Sequence, residues 1–303
     1  MATVREVRRR IKSVKNIAQI TRAMQAVAAS RMRRAQEAVL STRPYAQCAW
    51  TLLTHLAALR GETEEMHPLL QARSVSKVAL VLLTSDRGLC GAFNTNIIRK
   101  TLEYIEALSV PVDIVAVGRK GRDIVLRQGR SLVAEFSNLP AQPTLMDVTP
   151  IARVALDGFL DGAYDAVWLA YTDFINTLRQ EPVVKRLLPL MPTEVEKQVM
   201  AEYVDEAEQV AVPEYIYEPD PRTILDTVVP RFTELQVYQA VLESLASEHS
   251  ARMVAMRNAT ENAEALTQDL QLTYNKARQQ AITSEIVDIA GGAEALAQAR
   301  AAS

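Results

Sequence analysis

The stretch Thr84-Ser85-Asp86-Arg87-Gly88-Leu89-Cys90-Gly91 follows an apolar run and stands where a phosphate-binding turn would join a strand to a helix. It has neither GxGxxG nor GxxxxGK followed by Ser or Thr, so no lysine is placed to meet a terminal phosphate. A tight glycine turn is the plainer reading, and Gly118 and Gly121 in GRKGR read the same way. His55, His67 and His249 are the only histidines, and none lies in an HExxH pattern. Cys48 and Cys90 lack CxxC spacing, so neither a zinc site nor a disulfide framework is indicated and a reducing compartment is favoured. With no GxSxG elbow either, no catalytic, cofactor-binding or metal-binding residue is assigned.

Charge is the other source of chemistry. Residues 1–43 carry 11 Lys or Arg against Glu6 and Glu37, a balance of +9, whereas 44–230 carry −8 and 231–303 carry −3. The N-terminal segment therefore seeks an anionic neighbour. Arg8, Arg9, Arg10, Lys12 and Lys15 would suit nucleic acid, but single-strand binders interleave aromatics with cations and 1–43 holds no aromatic residue. Nucleic acid is accordingly not expected as a partner.

The elements that must hold these residues follow from the breakers. All 13 prolines lie between Pro44 and Pro230, and the glycines lie between Gly61 and Gly162 apart from Gly291 and Gly292. Both ends are thus candidates for long helices. In the C-terminal rod a 4-3 seam runs through Leu225, Val228, Phe232, Leu235, Gln239, Leu242, Ala246, His249, Met253, Met256, Thr260, Ala263, Thr267, Leu270, Tyr274 and Ala277. The N-terminal rod offers Val4, Val7, Ile11, Val14, Ile17, Ile20, Met24 and Val27, then Ala28, Met32, Ala35 and Val39, with a skipped step near Ile17. Two such rods can bury their stripes by packing antiparallel on each other. Between them, Lys77–Thr84, Val112–Val117 and Ala163–Tyr171 read as buried strands with helices in the gaps. The fold class is α/β: a long antiparallel coiled coil of terminal helices plus a small α/β domain with a mostly parallel sheet. The divisions are 1–60 for the first coiled-coil helix, 61–215 for a Rossmann-like foot and 216–303 for the second helix. Residues 194–208 form an acidic, breaker-free surface stretch. No apolar run reaches the roughly 18 to 20 residues of a membrane span, and the basic start is not followed by a signal-type apolar region.

Four blocks carry a resemblance that reaches from the first helix to the last. RIKSVKNIAQITRAMQAVAASRMRRAQ from Arg10 to Gln36 resembles the opening helix of F-type ATP synthase gamma subunits. So do SDRGLCGAFNTNI from Ser85, YEPDP from Tyr217 with the following LDTVVPRF, and LASEHSARMVAMRNATENA running into LQLTYNKARQQAITSEI. The resemblance implies a rotor shaft that makes no bonds itself, inside a head of three alpha and three beta subunits, its foot beside an epsilon subunit and a membrane ring of c subunits. It implies torque and coupling contacts at Met24, Arg252, Arg278, Gln279, Thr283 and Glu285, no cofactor, and a peripheral place on the cytoplasmic face of a bacterial inner membrane. The rival reading is a standalone nucleotide-binding α/β enzyme with helical arms.

Overall fold

The computed structural model describes residues 3–58, 67–190, 218 and 220–301, and the acidic stretch 194–208 lies outside them, as does the side chain of His55. Helix α1 spans Val4–Ala58 and helix α5 spans Pro221–Ala301, 55 and 81 residues. Between them lie a 3₁₀ turn, Pro68–Leu70, and the order β1 Val78–Leu83, α2 Phe93–Ala107, β2 Val112–Val117, α3 Arg119–Arg127, β3 Leu132–Phe136, α4 Leu145–Leu160, β4 Ala166–Phe174 and β5 Gln180–Leu188. Pro44 and Pro230 both sit inside helices, so neither proline ends a rod.

The chain divides into two compact units, one formed by 1–27 with 253–303 and the other by 28–252. In the larger unit the strands run β3-β2-β1-β4-β5. β1 pairs parallel with β2 and β4, β2 parallel with β3, and β4 antiparallel with β5. β1, all of it Val, Ala or Leu, is buried along its whole length because both faces of the sheet are covered. On one face α4 and α5 bury Ile151, Phe159, Val237 and Val241 against Val81, Val167 and Leu169. On the other, Ile97, Ile105 and Val125 of α2 and α3 cover Leu80, Leu82 and Ile114. Phe159 is wholly buried with the Arg73 guanidinium over its ring, a site whose truncation to alanine would forfeit about 3–5 kcal/mol of transfer and cavity energy. β3 and β5 were not anticipated from sequence. β3 is five residues long, and β5 carries Pro182, which belongs on an edge strand and obscures the pattern.

The first and last helices also pair within this unit. Gln239 Nε2 donates to Thr42 Oγ1 at 3.2 Å, while Arg31 lies near enough to His249 to act on its charge. Going up α1 from Arg31 to Thr42 thus goes down α5 from His249 to Gln239, and the pair is antiparallel.

In the smaller unit the α5 seam holds. From Met256 to Ala277 the shielded residues are Met256, Thr260, Ala263, Thr267, Leu270, Tyr274 and Ala277, joined only by Ala259. On α1 the structure corrects the expected skip. Burial passes from Val7, Ile11 and Val14 through Ala18 and Thr21 to Gln25 without a break, and Ile17, Ile20 and Val27 stand off the seam at 49, 59 and 52% exposure. The cause is a polar contact in the seam: Thr21 and Thr260 share a hydrogen bond of 2.7 Å between hydroxyls, both buried. Each hydroxyl also bonds a carbonyl of its own helix, so neither is left unsatisfied. Arg22 pairs with Glu264 beside them.

Candidate functional site

The turn after β1 spends its polar groups inside the chain. Ser85 N donates to Asn94 Oδ1 at 3.0 Å, Asn94 Nδ2 donates to Ser85 Oγ at 2.7 Å, and Ser85 Oγ donates to the Arg87 carbonyl at 2.7 Å. Asp86 accepts from the backbone N–H of Arg119 at 3.1 Å and of Asn138 at 2.8 Å, closing the ends of β2 and β3 onto the turn. Leu89 and Gly91 take left-handed backbone angles, φ 63° and 57°. Burial pushes the Cys90 thiol up, so it is held as a thiol and not as a reactive thiolate. The side chains of Ser85, Asp86 and Asn94 are thus already held by internal partners.

In a sheet of this order the strand direction of travel reverses between β1 and β4, and the crevice beyond their carboxyl ends is where doubly wound folds bind ligands. Here α5 lies in it. Ser247 Oγ donates to the Thr172 carbonyl at 3.1 Å, at the end of β4. Arg252, 12% exposed at its side chain, is ion-paired to Glu248 at 2.6 Å and donates from Nη2 to the Gly88 carbonyl at 3.2 Å. This geometry weighs against the nucleotide-enzyme reading on positive grounds, since the crevice is filled by the protein's own helix.

Glu248 is raised by its burial, with Arg252 opposing the shift, and His249 is pushed down to about 4, first by burial and then by Arg252 and Arg31. His249 is therefore a neutral, packed ring. As pH falls from 6.5 towards 4 the unfolded chain takes up a proton that the folded chain refuses, so stability contributed at neutral pH is lost across that window and levels off below it. We expect His249→Gln to flatten this slope, worth up to about 3 kcal/mol, when urea midpoints are compared at neutral pH and near the acid end.

The structure separates the other expected positions. Met24 is half-buried on α1, flanked by the exposed Ile17, Ile20 and Val27. These four make a second apolar stripe at 3-4-3 spacing, adjacent to the seam and left largely open among the described residues. Sequence reading had merged the two stripes, although their spacing was there to be read. Arg278, Gln279, Thr283 and Glu285 all lie on a length of α5, residues 278–293, in which every residue is exposed, including Ile282, Ile286, Val287 and Ile289. Arg252 alone is turned inward. Among the described residues no group of three or more His, Cys, Asp or Glu is placed to hold a metal, and no helix is long and apolar enough to cross a membrane.

A family model described as ATP synthase matches residues 3–296. The chain belongs to the ATP synthase family. An ATP synthase gamma chain of Dehalococcoides mccartyi strain CBDB1 is 50% identical over 297 residues, covering 98% of this chain and 100% of that relative. Another gamma chain, from Herpetosiphon aurantiacus, is 49% identical over 309 residues with the same coverage. Among solved structures, a chain from the Tetrahymena thermophila mitochondrial ATP synthase central stalk and c-ring is 28% identical with TM-score 0.55, covering 79% of this chain and 99% of that one. A chain of the Euglena gracilis mitochondrial ATP synthase shares the fold at TM-score 0.64 and 22% identity, covering 97% and 94%. The family read from the four motif blocks is the family found, and the α/β fold with long terminal helices is that of ATP synthase central stalks.

Proposed function

We propose that this chain is the rotor shaft of a rotary ATP synthase, carrying torque between a membrane c ring and the catalytic head of alpha and beta subunits, with an epsilon subunit at its foot. It is a subunit of an enzyme complex and performs no bond chemistry of its own. The observation that carries the reading is the exposed length of α5 beyond the seam, where apolar Ile282, Ile286, Val287 and Ile289 have no cover among the described residues. A socket around the helix would supply it.

A shaft shifts a catalytic subunit among its states only by touching those states differently. Met24, with the stripe around it, and Arg278, Gln279, Thr283 and Glu285 are our contact positions for the beta subunits. The cations of residues 1–43 would orient the shaft against acidic segments of those subunits, affecting specificity and association rate more than affinity. We divide the chain functionally at 1–60, 61–215 and 216–303, as rod, foot and rod. As part of the complex the chain is peripheral to a membrane, and we assign it to the cytoplasmic face of a bacterial inner membrane.

Reconstitution tests this directly. Alpha and beta subunits assembled in membrane vesicles with the c ring and its partners should couple ATP hydrolysis to proton transport only when this chain is present. Equal transport without it would remove the shaft reading, and nucleotide hydrolysis by the chain alone would favour the enzyme.

A further inference from the structure

α5 reaches the crevice at the carboxyl ends of β1 and β4 through a row of donors whose acceptors are all backbone carbonyls. Ser247 Oγ donates to Thr172 O at 3.1 Å, Ser250 Oγ donates to Thr177 O at 2.7 Å, and Arg252 Nη2 donates to Gly88 O at 3.2 Å and Arg87 O at 3.4 Å. Gln180 Nε2, at the start of β5, returns a bond to Ser250 Oγ at 3.3 Å. Glu248 holds the Arg252 guanidinium from its own helix. The two loops gripped in this way are stiff in themselves. Asn176 Oδ1 accepts the N–H groups of Leu178 and Arg179 in the hairpin between β4 and β5, and the turn after β1 is closed by Asn94 and Asp86 as described above.

Apolar burial is non-directional and allows one surface to slide on another. Hydrogen bonds to carbonyls do not, because the acceptors are fixed in the backbone and the bonds weaken steeply with angle. From this arrangement we propose that Ser247, Ser250 and Arg252 form a torque clamp, which locks the α/β domain to the last helix so that rotation of one turns the other without slip. Arg252 is then a positioning residue that works through the Arg87–Gly88 carbonyls of its own chain, and the fold's ligand crevice is put to mechanical use. The proposal rests on the shaft reading, since a clamp matters only where torque passes.

The test uses the complete complex in vesicles, comparing the unmodified chain with Ser250→Ala, Arg252→Lys and the paired Glu248→Gln/Arg252→Gln, which removes the buried charges together. Two quantities are read: protons transported per ATP hydrolysed, and hydrogen exchange of the backbone at 176–179 and at the amides of Ser85, Arg119 and Asn138 that close the turn after β1. The paired variant should lower transport per ATP by about threefold and speed exchange of the Ser85, Arg119 and Asn138 amides by about tenfold. Ser250→Ala should loosen 176–179 alone, and Arg252→Lys, retaining one charged donor, should fall between the paired variant and the unmodified chain. If the paired variant does not assemble, the two single variants still decide. Lost coupling with unchanged exchange would place Arg252 against a partner subunit and overturn the clamp. Full coupling despite loosened loops would overturn it equally. Failure of the shaft reading looks different: complexes with the unmodified chain would hydrolyse ATP and transport nothing.

Discussion

Replacing Arg278 and Gln279 together by alanine should cut ATP-driven proton transport about tenfold while leaving nucleotide binding by the catalytic subunits unchanged. Both side chains are exposed on the part of α5 that has left the seam, which ends at Ala277. Alanine is a good helix former, so the change should move the chain's own stability by no more than about 0.5 kcal/mol. What is removed is a charged, fork-shaped donor and a neighbouring amide that only a partner can use. Truncating a charged group paired across an interface costs about 2–5 kcal/mol, and a tenfold loss needs only about 1.4 kcal/mol. The measurement is transport against hydrolysis in vesicles, with thermal unfolding of the variant as a control. Unaltered coupling in a stable variant would remove these two residues from the contact surface.

The largest expected loss of stability lies at Gly118. This residue follows the end of β2 at φ 94°, a conformation L side chains rarely adopt, and a Cβ built on it would stand 2.1 Å from the Thr84 carbonyl oxygen. Thr84 cannot easily withdraw. Its N–H donates to Val117 O at 2.8 Å and its hydroxyl accepts from Gly121 N at 2.9 Å, while Gly118 N itself donates to Phe136 O at 2.7 Å. The ends of β1, β2 and β3 are therefore tied at one point, immediately before the turn that Arg252 grips. Gly118→Ala should cost at least about 4 kcal/mol, combining backbone strain with a backbone clash. Gly129→Ala makes the comparison, because its φ is 65° but its Cβ would meet nothing within 4 Å. Only the conformational cost remains there, about 1 kcal/mol. Urea midpoints for the two variants should differ widely, and similar midpoints would show that the contact at Thr84 relaxes freely.

How far the sequence was legible depended on whether a signal was one-dimensional. The seam from Met256 to Ala277 could be read residue by residue, since helical period alone decides which side faces inward. On α1 the same reading followed residue size and took Ile17 and Ile20 into the seam, whereas Ala18 and the Thr21–Thr260 bond occupy it. A small residue at close approach and a hydroxyl matched across two helices are properties of pairs, and one strand of text does not display them. β1 and β2 were found within a residue because burial on both faces makes an unbroken apolar run. β5 was missed because an edge strand with Pro182 has no such run. The candidate contacts were legible only through resemblance, as exposed Arg, Gln and Thr look alike on any helix. Arg252 shows a different limit: its acceptors are the carbonyls of residues 87 and 88, which have no letter of their own in the sequence.

The many alanine and threonine positions where the terminal helices meet have a consequence for dimensions. Side chains this short permit a closer approach of the two backbones than leucines would within the 8–10 Å range usual for packed helices, and leave little compressible material between the two strands of the rod. A bearing built around such a spindle can have a narrow bore, and a single leucine at Ala18 or Ala263 would thicken the spindle at one height and make it bind there before it weakened the coil anywhere else.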